Sequence, residues 1–228
     1  MAMAPTARRR RAKRAPRRGR DPEATRDALL AAGTELFAER GFDGASVDAI
    51  ARKAGVNKAM INYHFGGKRR LYLAIFASTF AELVERVDGL RQAPRPPAEL
   101  LREFVAIFAD MAVHRRPNFP AMLLREVLAS GRLVEAEILP RILAIFTVVR
   151  EIVERGVREG SFRPVDPVLT HLSLIGSLAF FFATAPFRDR AIAAGQLPLS
   201  PPAAEDYVRH VQELMTRGLA AEVAEGAG

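Results

Sequence analysis

The feature that most constrains this chain is the stretch from Ser46 to Lys68, SVDAIARKAGVNKAMINYHFGGK, in which two short helical patterns meet across a turn with almost no residue to spare. Val47, Ile50, Ala51 and Ala54 recur at i, i+3, i+4 and i+7, so they share one helix face while Asp48, Arg52 and Lys53 point elsewhere. Ser46 precedes them as a natural N-cap. Gly55 can adopt the positive φ that ends one helix and starts the next at a steep angle, which makes the pattern a helix-turn-helix. The second helix is expected over about Asn57 to His64. Ile61 and Phe65, four apart, share its inward side, leaving Ala59, Met60 and Tyr63 on the far side with Lys58 and Asn62 flanking. That face suits a major groove: Asn pairs with adenine, Lys reaches guanine or phosphate, Ala and Met meet a thymine methyl, and Tyr63 and His64 donate to phosphate oxygens. The competing reading is a solvated helix end packed beneath a larger domain.

Flanked by Thr25–Gly41 and by Lys68-Arg69-Arg70-Leu71-Tyr72, this stretch closely resembles the N-terminal DNA-binding domain of TetR-family transcriptional regulators over about 50 residues. The matching positions are Gly41-Phe42, Ser46-Val47, Ile50-Ala51, Ala54-Gly55-Val56, Tyr63-His64-Phe65, Gly66-Gly67 and Lys68. Two positions depart from the pattern, since the family often carries Ser or Thr where Met60 stands and Tyr where Asn62 stands. The resemblance implies DNA contacts from Ser46, Asn57, Lys58, Ala59, Met60, Asn62, Tyr63, His64 and Lys68, with an operator altered to suit Met60 and Asn62. Lys68, beside outward-pointing N–H groups at a helix start, suits a phosphate.

The basic character of the chain is unevenly distributed. Residues 1–20 hold eight Arg and one Lys with no acid, so a formal net charge of +8 leaves the other 208 residues at −1. Such a run buries nothing and is expected to be a disordered basic arm, either solubilising or lying along phosphates beside the reading helix. It lacks the apolar stretch of a secretory signal. Cysteine is absent and the four histidines follow no ligand spacing, so disulfides, thiolate sites and a metal centre are not expected. A reducing cytoplasm suits this composition.

The remaining pattern is helical throughout, which predicts an all-α chain: a three-helix helix-turn-helix domain over 21–68, joined by a long helix to a larger C-terminal helical domain over 69–228 for ligand binding and dimerisation. Thr25–Arg40 is expected to form the first helix, stopped by Gly41, and Lys68–Gln92 the linking helix, ended by the APRPP run at 93–97. Three further helices follow the stripes through Leu101 to Ala112, Met122 to Leu128 (ended by Gly131), and Ile138 to Gly156, the last bent or restarted at Pro140. Val168–Phe187 is long and apolar enough to span a membrane. His171, Ser173, Ser177 and Thr184 interrupt it, Pro186 is expected to end it, and a DNA-reading domain has no use for a bilayer. A helix apolar nearly all round needs burial on several sides, and a subunit interface provides it. The resemblance implies a homodimer through the last two helices, about 168–187 and 205–220, with Arg188–Pro202 as a Pro-rich loop between them.

Two copies placing reading helices about 34 Å apart address successive major grooves of an inverted-repeat operator on double-stranded DNA. The resemblance further implies repression, relieved when a small-molecule effector enters the C-terminal helices and displaces the linking helix. Phe104, Phe108, Met111, Phe119, Met122, Phe146, His171 and Phe180 are candidates for a mostly apolar pocket, the alternative for each being plain core. His114-Arg115-Arg116 could greet an acidic ligand, but reads first as a solvated helix end before Pro117. No nucleophile motif, Gly-rich phosphate loop or metal spacing is present, so neither an enzyme nor a cofactor is expected. Two rivals remain: an architectural or ligand-independent DNA binder driven by the basic arm, and a membrane-anchored regulator.

Overall fold

The computed structural model describes residues 21–129 and 135–221. The basic arm and Gly131 lie outside the described residues. Helix α1 (Pro22–Gly44) starts three residues earlier than the apolar pattern predicts, because Asp21 accepts the Glu23 N–H at 3.1 Å and Pro22 occupies the first turn. Gly41, at φ 71° and ψ 177°, takes the chain out of the helical path where a stop is expected. Helix α2 (Val47–Ala54) is capped by Ser46 Oγ, which accepts the Ala49 N–H at 3.1 Å, and closed by Gly55 at φ 66°. Helix α3 spans Ala59–Phe65, and Asn57 Oδ1 accepts the Ala59 N–H at 2.9 Å, so Asn57 and Lys58 sit before the helix rather than in it.

Gly66 and Gly67 then turn the chain into α4 (Lys68–Asp88), which is prolonged by a 3₁₀ turn to Gln92 as the apolar spacing predicts. Helix α5 (Pro97–Asp110) runs on into a π-helical turn, Met111–Arg115, before α6 (Phe119–Leu128). Helix α7 (Glu135–Arg158) continues through Pro140. Helix α8 (Pro167–Ala193), capped by Asp166 on the Val168 and Leu169 N–H groups at 2.7 and 3.1 Å, precedes α9 (Ala204–Leu219). No strand is found among the described residues beyond a single bridge between Phe162 and Ala220.

Helix α4 is the spine. Leu71 and Ile75 face Gly33 of α1 and Phe76 meets Phe119 of α6, while Leu83 and Val87 are buried farther along the helix, which also packs on α5 and α7. Polar ties fix its far half: Arg86 donates to Asp110 at 2.6 Å, and Arg91 grips Glu151 through two bonds of 2.7 and 2.9 Å. Glu82 accepts from both Arg115 and Arg116. Burial alone would raise the Glu82 carboxyl, yet the two guanidinium hydrogen bonds outweigh it and pull the group below its ordinary value of 4.5.

Helix α6 reaches back to the reading domain. The Arg125 guanidinium donates to the Ala38 and Glu39 carbonyls at 2.7 and 3.1 Å, satisfying acceptors near the end of α1. Beside it, the Tyr72 hydroxyl donates to Glu126 Oε2 at 2.7 Å, with both residues buried. Burial and the neighbouring carboxylate push the Tyr72 phenol up.

One expectation fails at the C-terminal end. Pro186 does not end its helix: α8 runs seven residues past it, so the predicted Arg188–Pro202 loop contracts to 194–203. Proline removes one ladder bond, at a cost of about 3 kcal/mol in a helix interior. That loss is offset downstream, where Ala191 is buried and Arg188 both donates to the Phe181 carbonyl and lies 4.2 Å over its ring.

Candidate nucleic-acid interface and effector cleft

The orientation of α3 follows from its two anchors. Ile61 is fully buried and Phe65 nearly so, under Arg26, whose guanidinium lies 5.5 Å from the Phe65 ring centre. Tyr63 is consequently turned outward at 75% exposure, with Asn57, Lys58, Ala59 and Asn62 exposed around it. His64 is half-buried, its ring perpendicular to that of Tyr63 with 4.9 Å between centres, and its Nε2 is buried without a hydrogen-bond partner. Lys58 pairs with Asp48 at 3.2 Å, an exposed pair that a phosphate can replace at little loss.

Three predicted contact residues sit differently from the simple face argument. Met60 is half-buried and packs against the core, because a flexible apolar side chain next to Ile61 gains more by covering the helix pair than by facing water. The Ser46 hydroxyl is occupied by its own cap. Lys68 does not stand free at the start of α4: its ammonium donates to the Phe42 carbonyl at 2.7 Å and lies 4.3 Å from the Phe42 ring centre. The break at Gly41 presents that carbonyl, so Lys68 ties α4 to the end of α1. Arg69 and Arg70, which follow it on α4, are exposed, as is Arg52 on α2. The face analysis passed over these cations, though their sequence adjacency to the motif signalled them.

The eight candidate effector residues do not converge. Phe108, Met111 and Phe119 line one apolar cleft with Thr79, Phe80 and Leu83 of α4, Arg116, and Pro120 and Leu123 of α6. Its free volume is about 30 Å³, room for about one water. Phe104 and Met122 are fully buried core. Phe146 and His171 meet edge to face between α7 and α8, 5.2 Å apart, and burial lowers the His171 imidazole. Phe180 is 63% exposed on the outside of α8. Thr79 was missed, since nothing in its sequence context distinguishes it.

Helix α8 carries an outward stripe. Leu169, Leu172, Gly176, Phe180 and Phe187 are exposed along it, while Leu174, Leu178, Phe181 and Phe182 face the core. By length and composition α8 could cross a membrane, and 33% of its most apolar window is buried here. Among the described residues no cluster of metal-ligating side chains occurs.

Comparison with known proteins places this geometry. The family of bacterial regulatory proteins called tetR matches residues 29–75, and the tetracyclin repressor-like C-terminal domain matches residues 97–215. The chain belongs to the TetR family. As a TetR-family transcriptional regulator it is a DNA-binding protein whose helix-turn-helix is α2 and α3. It is 31% identical over 205 residues to the HTH-type transcriptional repressor NicS of Pseudomonas putida, across 89% of this chain and 95% of NicS. Among solved structures it is similar to the TetR-family regulator PfmR of Thermus thermophilus, with a TM-score of 0.66 at 26% identity, over 84% of this chain and 98% of PfmR. It shares its fold with AibR, solved in complex with isovaleryl coenzyme A and operator DNA, with a TM-score of 0.65 at 19% identity over 83% and 97% of the two chains.

Proposed function

We propose that this TetR-family regulator is a cytoplasmic homodimeric repressor that binds an inverted-repeat operator and is released by a small, mostly apolar effector. The observation that carries the reading is the attitude of α3, which buries Ile61 and Phe65 and offers Tyr63, Asn62 and Lys58 together to solvent. On that helix Asn62 reads a base edge, Tyr63 and His64 meet phosphates, and Ala59 faces a thymine methyl. One such helix touches too few base pairs to find a site in a genome, so the reading needs two. The outward stripe of α8 with Leu214 of α9 supplies the surface on which two copies close into a four-helix bundle. The repressor NicS as a relative, and neighbours solved with stearoyl-CoA and isovaleryl coenzyme A, support the class, and the apolar cleft beneath α4 supports the kind of effector. An effector acts by preferring the conformation that does not bind DNA.

The test is to recover genomic fragments on the purified protein and search them for a two-fold symmetric motif. Asn62→Ala is expected to weaken the best duplex about tenfold and to relax preference at one base pair per half-site. Binding that shows no symmetric motif, or that is carried wholly by residues 1–20 and abolished without them, sinks the proposal in favour of an architectural binder.

A further inference from the structure

Thr79 is the only described side chain lining the apolar cleft that carries a buried polar atom without a partner: the residue is 3% exposed and its Oγ1 has no hydrogen bond. Threonines in helices ordinarily satisfy their hydroxyl on the carbonyl four residues back. Among the described residues five others do so: Thr34 on Leu30, Thr147 on Leu143, Thr170 on Asp166, Thr184 on Phe180 and Thr216 on Gln212, at 2.7 to 2.9 Å. Thr79 does not. Leaving a buried hydroxyl unmet is unfavourable; the Ile75 carbonyl, four residues back, already accepts from Ser78 Oγ at 3.1 Å, which leaves the Thr79 hydroxyl available to a guest.

A resident water is a poor guest. A buried water needs two to four polar partners, and apart from Thr79 the cleft offers Phe80, Leu83, Phe108, Met111 and Phe119 as walls, with Arg116 at the edge. Arg116 is already committed to Glu82 at 3.0 and 3.2 Å, so an anionic guest would have to dismantle that pair. A neutral molecule that presents one polar atom to Thr79 and fills the walls with its own apolar body meets every demand at once. Met111 opens the π-helical turn and is unbranched, so this wall can yield to a guest larger than the resting space.

We propose that Thr79 selects the effector by accepting or donating a single hydrogen bond to one neutral polar group on an otherwise apolar molecule seated between α4, α5 and α6. The assignment rests on the effector-released regulator reading above and adds the class of molecule and the residue that discriminates it. Because Thr79 lies on α4, which also carries Tyr72 toward α6 and begins next to the reading helix, the selecting contact and the DNA-facing domain share one rigid element.

Phenol and toluene make a matched pair of probes, alike in shape and differing by hydroxyl for methyl. Calorimetric titration of the full-length protein, of Thr79→Val and of Thr79→Ser gives the phenol-to-toluene affinity ratio for each. The ratio is expected to fall about three- to tenfold in Thr79→Val, the span of one net hydrogen bond, and to be retained in Thr79→Ser. An unchanged ratio in Thr79→Val, with both probes still binding, overturns the role of Thr79 while leaving the effector cleft standing. Binding of neither probe to the wild-type protein overturns both the inference and the cleft as the effector site.

Discussion

The Tyr72–Glu126 contact can be isolated cleanly, because phenylalanine keeps everything about Tyr72 except the hydroxyl. The ring packs against Phe37, Phe42 and Phe76 with centres 4.9, 5.1 and 5.1 Å away, and none of those contacts involves the oxygen. What Tyr72→Phe removes is the donor that meets Glu126 Oε2 at 2.7 Å in a setting where Tyr72 is 2% and Glu126 4% exposed. A hydrogen bond to a charged group is worth about 1.5–3 kcal/mol. For a chain of this size each kcal/mol moves the melting temperature by about 2–4 °C, so a loss of about 3–12 °C is expected at fixed protein concentration. Glu126→Leu should destabilise on its own by stranding the phenol. The double variant should lie above the sum of the two by about 1–2 kcal/mol, since the Tyr72–Glu126 bond is lost only once across the pair of changes. Thermal or urea unfolding by circular dichroism measures all four proteins. A shift under about 1 °C for Tyr72→Phe, or strict additivity in the cycle, refutes the claim that this pair holds α4 to α6.

Other substitutions probe the remaining elements. A Cβ on Gly156 would lie 2.1 to 2.7 Å from the Phe162 ring, so Gly156→Ala should displace Phe162 and lower the melting temperature by several degrees, and Phe162→Ala in the same background should recover part of the loss. Phe180→Asp places a charge on the outward stripe of α8, and sedimentation at micromolar concentration should show monomer where the proposed homodimer is expected for the parent; a retained dimer moves the interface elsewhere. The Glu82 carboxyl titrates below 4.5 when folded, so its stabilising contribution is complete above the unfolded value and disappears as pH falls through the folded one. Glu82→Gln should therefore flatten the loss of melting temperature on acidification below about pH 4.5, and an unaltered slope would count against the Arg115 and Arg116 clamp.

Where the fold was legible in the sequence, the determinants were local. Ser46, Gly55 and the Val47–Ala54 stripe specify α2 and its turn with no help from distant residues, and Ile61 with Phe65 fixes which way α3 faces. Pro186 misled because its local preference yields to the burial of Ala191 and to Arg188 on Phe181, both set by packing. The Lys68 contact was invisible for a related reason: the Phe42 carbonyl that it meets is 26 residues away and follows the break of α1 at Gly41. The candidate effector residues were chosen by type, and type alone cannot separate a wall such as Met111 from core such as Phe104 or an outer surface such as Phe180. Thr79 is harder still to see from the chain, since the oddity is a bond that it fails to make.

Arg125 gives the reading domain a second mounting. The chain itself joins that domain to the body once, through α4, and a part hung from a single stem can swivel about it. By clasping the Ala38 and Glu39 carbonyls from the opposite flank, α6 supplies a lateral strut. A head braced at two points does not pivot freely: shifting either brace alone must tilt it, and shifting both together carries it along unrotated. In the homodimer proposed above, the angle between paired heads on a duplex would follow the relative travel of α4 and α6, so the proposed effector, by wedging these two apart, would tilt the heads even when neither helix moves far.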